Sequence, residues 1–75
     1  MLSPDQLSPS DEEILDVLQG GRGTAPYIAD EIDSSNGHVR NRLRRLEEHD
    51  HVTRVYEGLY ELKTDPREEG DLDAF

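Results

Sequence analysis

Between Ser35 and His49 only three residues are strongly apolar: Val39, Leu43 and Leu46. Their i, i+4, i+7 spacing makes one stripe of an α-helix, so this stretch must lie along a core with its other faces in water. At about 100° per residue, the face opposite the stripe carries Gly37, Asn41, Arg44, Arg45 and Glu48, with His38 and Arg40 on its flanks. Arg40, Arg42, Arg44 and Arg45 are half of the chain's eight basic residues, gathered within six positions. Such a cluster suits a polyanion.

The remainder of the chain makes that cluster unusual. Eighteen Asp and Glu against eight Lys and Arg leave a formal net charge of −10 on 75 residues, with Lys63 the single lysine. A generally acidic surface repels nucleic acid over a Debye length. The balance fits a protein adapted to molar intracellular salt, where screening over roughly 3 Å at ~1 M removes self-repulsion. An acidic interaction protein or a partly disordered tail is the alternative. Seventy-five residues allow one domain with a marginal core. Without cysteine there is no disulfide framework and no Cys-based zinc site. His38, His49 and His51 lack the helical i, i+4 metal spacing, so neither metal nor cofactor is expected. No apolar run approaches the roughly 20 residues that span a bilayer, and no N-terminal signal is present, so a cytoplasmic location is expected.

Taken in order, residues 1–7 read as a loose N-terminal segment. Ser8-Pro9-Ser10-Asp11 is a helix start, with Ser8 at the N-cap, Pro9 in the first turn and Asp11 closing a capping box. The first helix is expected from Pro9 to Gln19, stopped by Gly20-Gly21. Arg22-Gly23 reads as a turn. Thr24 then caps a short second helix, Ala25 to Ile32, which Asp33-Ser34-Ser35 breaks. Ser35 caps the third helix, residues 36–49, and Asp50 supplies a left-handed residue at its end. Asn36-Gly37 is also a type I′ hairpin dipeptide, although its flanks lack period-2 alternation. Residues 52–63 form a hairpin of two strands around Glu57-Gly58, with Tyr56 and Tyr60 expected in its core. Residues 64–75 read as an acidic tail. The predicted core is Ile14, Leu18, Ile28, Ile32, Val39, Leu43, Leu46, Val52 and Leu62. The predicted class is α+β, three helices plus a two-stranded hairpin.

In this order the segments Leu7-Ser8-Pro9-Ser10-Asp11, Ile28-Ala29-Asp30-Glu31-Ile32, Val39-Arg40-x-Arg42-Leu43-x-x-Leu46 and the pair Val52–Val55 and Leu59–Leu62 have a counterpart. The chain resembles winged helix-turn-helix transcriptional regulators, most closely short acidic archaeal ones of haloarchaeal phage-repressor-like and MarR/ArsR-like type. The resemblance covers about Leu7 to Lys63. It implies sequence-directed binding of double-stranded DNA by a small regulator, a repressor acting as a homodimer, with the third helix in the major groove and the hairpin as wing. Carried over by position, Ser34, Ser35, Asn36, Gly37, His38, Arg40, Asn41, Arg44 and Arg45 line the groove and its phosphates, with Arg54 and Gly58 on the wing. Asp33 and Asp50 stand where such proteins often have glycine, and the wing tip carries Glu57 where a basic residue is usual.

Asn41 and Arg44 are the base-reading candidates, since Asn pairs bidentately with adenine and Arg with guanine. A solvated, ion-paired helix face is the competing reading for Arg44 and Arg45. Arg40 suits a phosphate contact or an ion pair equally. Arg42 lies near the apolar stripe and is expected to pair with an acid. No Ser/His/Asp set has supporting context, so enzyme activity is not expected. A winged-helix module that docks a protein partner is the alternative to DNA binding.

Overall fold

Hydroxyl caps start all three helices in the computed structural model, which describes residues 2–67. At the head of α1 (Pro9–Gln19) the Ser8 hydroxyl accepts the Asp11 N–H, and the Asp11 carboxylate accepts the Ser8 N–H at 2.9 Å. That is the expected capping box. Thr24 caps α2 (Ala25–Glu31) through the Tyr27 N–H, and Ser35 caps α3 (Asn36–Glu48) through the His38 N–H. After α2 and α3 the chain turns at Asp33 (φ 55°) and Asp50 (φ 66°), left-handed positions that aspartate tolerates better than most side chains. Asn36-Gly37 opens a helix and not a hairpin.

Over the described residues the class is α+β, with three α-helices and a three-stranded antiparallel sheet ordered β1-β3-β2. The strands are β1 (Gly23–Thr24), β2 (Val52–Tyr56) and β3 (Leu59–Leu62). β2 and β3 form the expected hairpin, and Gly58 takes φ +76° in its turn, where any side chain would be strained. β1 departs from expectation. Arg22-Gly23 reads as a turn, yet Gly23 pairs with Tyr60 and Thr24 with Leu59. Two residues carry no alternation from which a strand could be read. Across the hairpin Val52 opposes Leu62 and Arg54 opposes Tyr60, and the register slips between Arg54 and Tyr56. This bulge leaves Val55 and Tyr56 in solvent, 39% and 75% exposed. Tyr56 is therefore not part of the hairpin core.

Ile14, Leu15 and Leu18 of α1, Ala25, Ile28 and Ala29 of α2, Val39, Leu43 and Leu46 of α3, and Val52 of β2 share one core. Ile32 and Leu62 pack at its margin, half-buried. Both ends of the domain are held more firmly than expected. Leu2 and Leu7 are buried on either side of a short 3₁₀ turn, Pro4–Gln6. The Leu2 N–H donates to Nε2 of the fully buried His51 at 3.0 Å, while Nδ1 of that ring lies 2.9 Å from the Thr64 carbonyl. A backbone N–H can only donate and a carbonyl only accept, so the two contacts select one tautomer.

Residues 64–67, the start of the expected tail, fold back on α1. Asp65 accepts from Gln19 Nε2 at 2.7 Å and from the Arg67 guanidinium, which also reaches Asp16 at 2.9 Å. Burial pushes the Asp65 carboxyl up, but the Arg67 and Gln19 hydrogen bonds outweigh it and hold the group below the usual carboxylate range. The remainder of that tail, 68–75, lies outside the described residues.

The strongest polar contact joins α1 to α3. Arg42 Nε and Nη2 donate to Asp11 Oδ1 and Oδ2, each at 2.7 Å, with the Asp11 side chain fully buried. Burial pushes the Asp11 carboxyl up. The Arg42 and Ser8 hydrogen bonds together outweigh that and hold it below its ordinary value. Because the folded value is depressed, the carboxylate's contribution is present above the ordinary value of 3.8 and is lost as pH falls through the folded one. Asp11→Ala should destabilise by about 3 kcal/mol at neutral pH, more than the ~1 kcal/mol of a cap alone. In urea titrations the gap between wild type and variant should narrow in acid. A loss under about 1 kcal/mol, unchanged by pH, would contradict the pairing.

Candidate nucleic-acid interface

The apolar stripe fixes what α3 shows on each flank. Val39, Leu43 and Leu46 face inward, fully buried. One residue further round the helix, Arg40, Arg44 and Glu47 repeat the same i, i+4, i+7 row. This row looks toward the β2–β3 hairpin, because it shares a groove with hairpin residues. On the other flank His38 and Arg42, four apart, reach α1. His38 Nε2 lies 2.9 Å from Ser10 Oγ, and Arg42 holds Asp11.

The groove between this row and the hairpin encloses about 490 Å³. Asn41 joins the row, Ala25 and Pro26 contribute from the start of α2, and Arg54, Gly58 and Tyr60 contribute from the hairpin. Arg54 and Tyr60 oppose each other one step beyond Val52 and Leu62 on the same face of the hairpin. That face is apolar where it meets the core and polar where it leaves it.

Charge is divided in a telling way. Arg22 pairs with Glu61 at 3.4 Å, Arg42 with Asp11, Lys63 with Asp50 at 3.7 Å, and Arg67 with Asp16 and Asp65. Arg40, Arg44, Arg45 and Arg54 have no carboxylate partner among the described residues. Three of those four line the groove. Glu47 is its only lining carboxylate among the described residues, and it pairs with none of the three. Arg44 and Arg45 thus form no ion-paired helix face among the described residues.

The sequence candidates are thereby sorted. Arg40, Asn41, Arg44, Arg54 and Gly58 come together around the groove. Arg45 is exposed outside its lining. Ser34, Ser35, Asn36, Gly37 and His38 sit at the head of α3, also outside the lining. Of these, the Ser35 hydroxyl is engaged by the His38 N–H and the His38 ring by Ser10, so neither is as open to a phosphate as its position suggests. Tyr60, Ala25 and Pro26 were not legible as site residues, because their place depends on where the hairpin and β1 pack; Glu47 joins the lining from the row that already holds Arg40 and Arg44.

The Ser10–His38 contact ties α1 to α3, with no acid on Nδ1 among the described residues. No three His, Asp or Glu among the described residues are grouped to hold a metal ion. No described helix is long and apolar enough to cross a membrane. Comparison with protein-family models, curated proteins and solved structures finds no match.

Gly37 has no packing reason to be glycine, since a Cβ there meets nothing within 4 Å. Gly37→Ala should therefore stabilise the fold by up to ~1 kcal/mol, read from a thermal melt. A lower melting temperature would mean that the residue serves the fold itself.

Proposed function

We propose that this chain is a winged helix-turn-helix regulator that reads double-stranded DNA, with α3 in the major groove and the β2–β3 hairpin as wing. The observation that supports it is the division of the basic residues. In a chain of net charge −10, guanidiniums have many carboxylates to pair with, yet the four without partners among the described residues gather on α3 and the strand facing it. A ligand that brings its own negative charge completes that arrangement.

The layout is suited to the task. α2, a short turn and α3 follow the helix-turn-helix order. The 13 residues of α3 extend about 20 Å and fit a major groove about 12 Å wide. Arg40, Arg44 and Arg54 hold phosphates of the strand that enters the cleft between α3 and the wing. Asn41 is the residue for reading adenine, and Arg45, outward and unpaired among the described residues, is the one for guanine. Arg44 moves from base reading to phosphate binding because it shares the groove with Arg40 and Arg54. The bare backbone at Gly37 permits close approach of the duplex. One recognition helix spans few base pairs, so a homodimer on a two-fold operator is the working form, repressing by occupancy. The protein-docking alternative finds little support, since the exposed apolar residues Tyr27, Val55 and Tyr56 do not line the groove.

Competition binding on duplexes selected from a random pool tests these roles. Arg54→Ala should weaken preferred and scrambled duplexes alike and lower the salt slope by about 1. Asn41→Ala should cost ~1–3 kcal/mol on the preferred duplex and little on the scrambled one. A folded wild-type protein that selects no duplex would overturn the proposal.

A further inference from the structure

The geometry points to Glu47 as the residue that sets the salt dependence of this groove, through uptake of a monovalent cation when a duplex binds. This deepens the proposed DNA reading and rests on it. Glu47 lies one turn beyond Arg44 on the flank of α3 that faces Arg54, and it lines the same groove as three guanidiniums. It pairs with none of them, so its charge is not already neutralised by the groove. A strand whose phosphates reach Arg40, Arg44 and Arg54 must pass a bare carboxylate.

Two charges of one sign are then brought together at the moment of binding. Phosphates that meet the arginines release their condensed counterions, which makes binding weaken as salt rises. A potassium or sodium ion drawn between Glu47 and the nearest phosphate acts in the opposite sense. It is taken up on binding, and higher salt favours it by mass action. Three phosphate contacts alone would give a slope of log K against log salt of about −2.7, and uptake of one cation returns about one unit. The site thus stays useful at salt concentrations that would strip an all-basic groove. An electrostatically weakened groove is a poor design at low salt and a sound one in a concentrated electrolyte. That agrees with the acidic, lysine-poor composition.

The experiment titrates a fluorescein-labelled duplex of mixed sequence with wild type, Glu47→Gln and Glu13→Gln in stepped potassium chloride, with circular dichroism confirming folding at each step. Glu13 is exposed on α1, outside the groove, so its variant changes net charge equally. Glu47→Gln should bind about tenfold tighter than wild type near 0.1 M and equally near 1 M, its slope steeper by about one unit. Glu13→Gln should track wild type. Equal shifts in both variants would assign the effect to whole-molecule charge and overturn the role of Glu47, as would no shift in either. Weaker binding by Glu47→Gln, confined to cytosine-containing selected duplexes, would overturn it in favour of base reading through cytosine N4. A folded wild type with no duplex binding at any salt would instead overturn the DNA reading beneath it.

Discussion

A buried carboxylate held by two hydrogen bonds of 2.7 Å from one guanidinium joins the start of α1 to the middle of α3. Asp11 also closes the capping box of α1, so one side chain sets both where that helix begins and what it packs against. Desolvating a carboxylate costs several kcal/mol unless its oxygens are fully engaged. Here the Ser8 N–H and the Arg42 fork engage them. The pair also fixes the rotation of α3. With Arg42 turned to α1 and the Val39, Leu43, Leu46 stripe turned to the core, Arg40 and Arg44 can only face the hairpin.

That phase decides how charge is distributed over the domain. The inward-leaning arginine is neutralised by Asp11, and Arg67 is likewise compensated by Asp65 and Asp16 against α1. What stays uncompensated is a strip along α3 and the facing strand. The chain as a whole carries a net charge of −10, so the strip stands out as a local excess of positive charge. Salt modulates this selectively. It screens the repulsion from distant carboxylates more than the short-range contacts inside the groove.

Much of this was legible because helix boundaries are written locally. Ser8, Thr24 and Ser35 each cap the helix that follows, and Asp50 takes the left-handed turn expected of it. The apolar stripe of α3 gave its phase, and from the phase came the expectation that Arg42 pairs with an acid. What was missed is non-local. Leu2 and Leu7 are isolated apolar residues in a polar segment, and only the buried ring of His51, nearly fifty residues away, shows why Leu2 is held. Asp65 and Arg67 looked like tail because their partners, Gln19 and Asp16, lie on α1. β1 is too short for periodicity to reveal. The bulge that exposes Tyr56 follows from strand register and not from residue type. Glu47 was legible as a helix residue and became a groove residue only once the hairpin was in place.

In the proposed reading, duplex DNA meets the groove between α3 and the hairpin together with the outward face of α3. Backbone amide NMR of the ¹⁵N-labelled protein, titrated with a selected duplex at high potassium chloride, tests it most directly. Perturbed signals should concentrate at 37–47 and 54–60, with 11–19 and 64–67 unmoved. Perturbations centred on α1 and 64–67, with the groove residues silent in a folded protein, would contradict it.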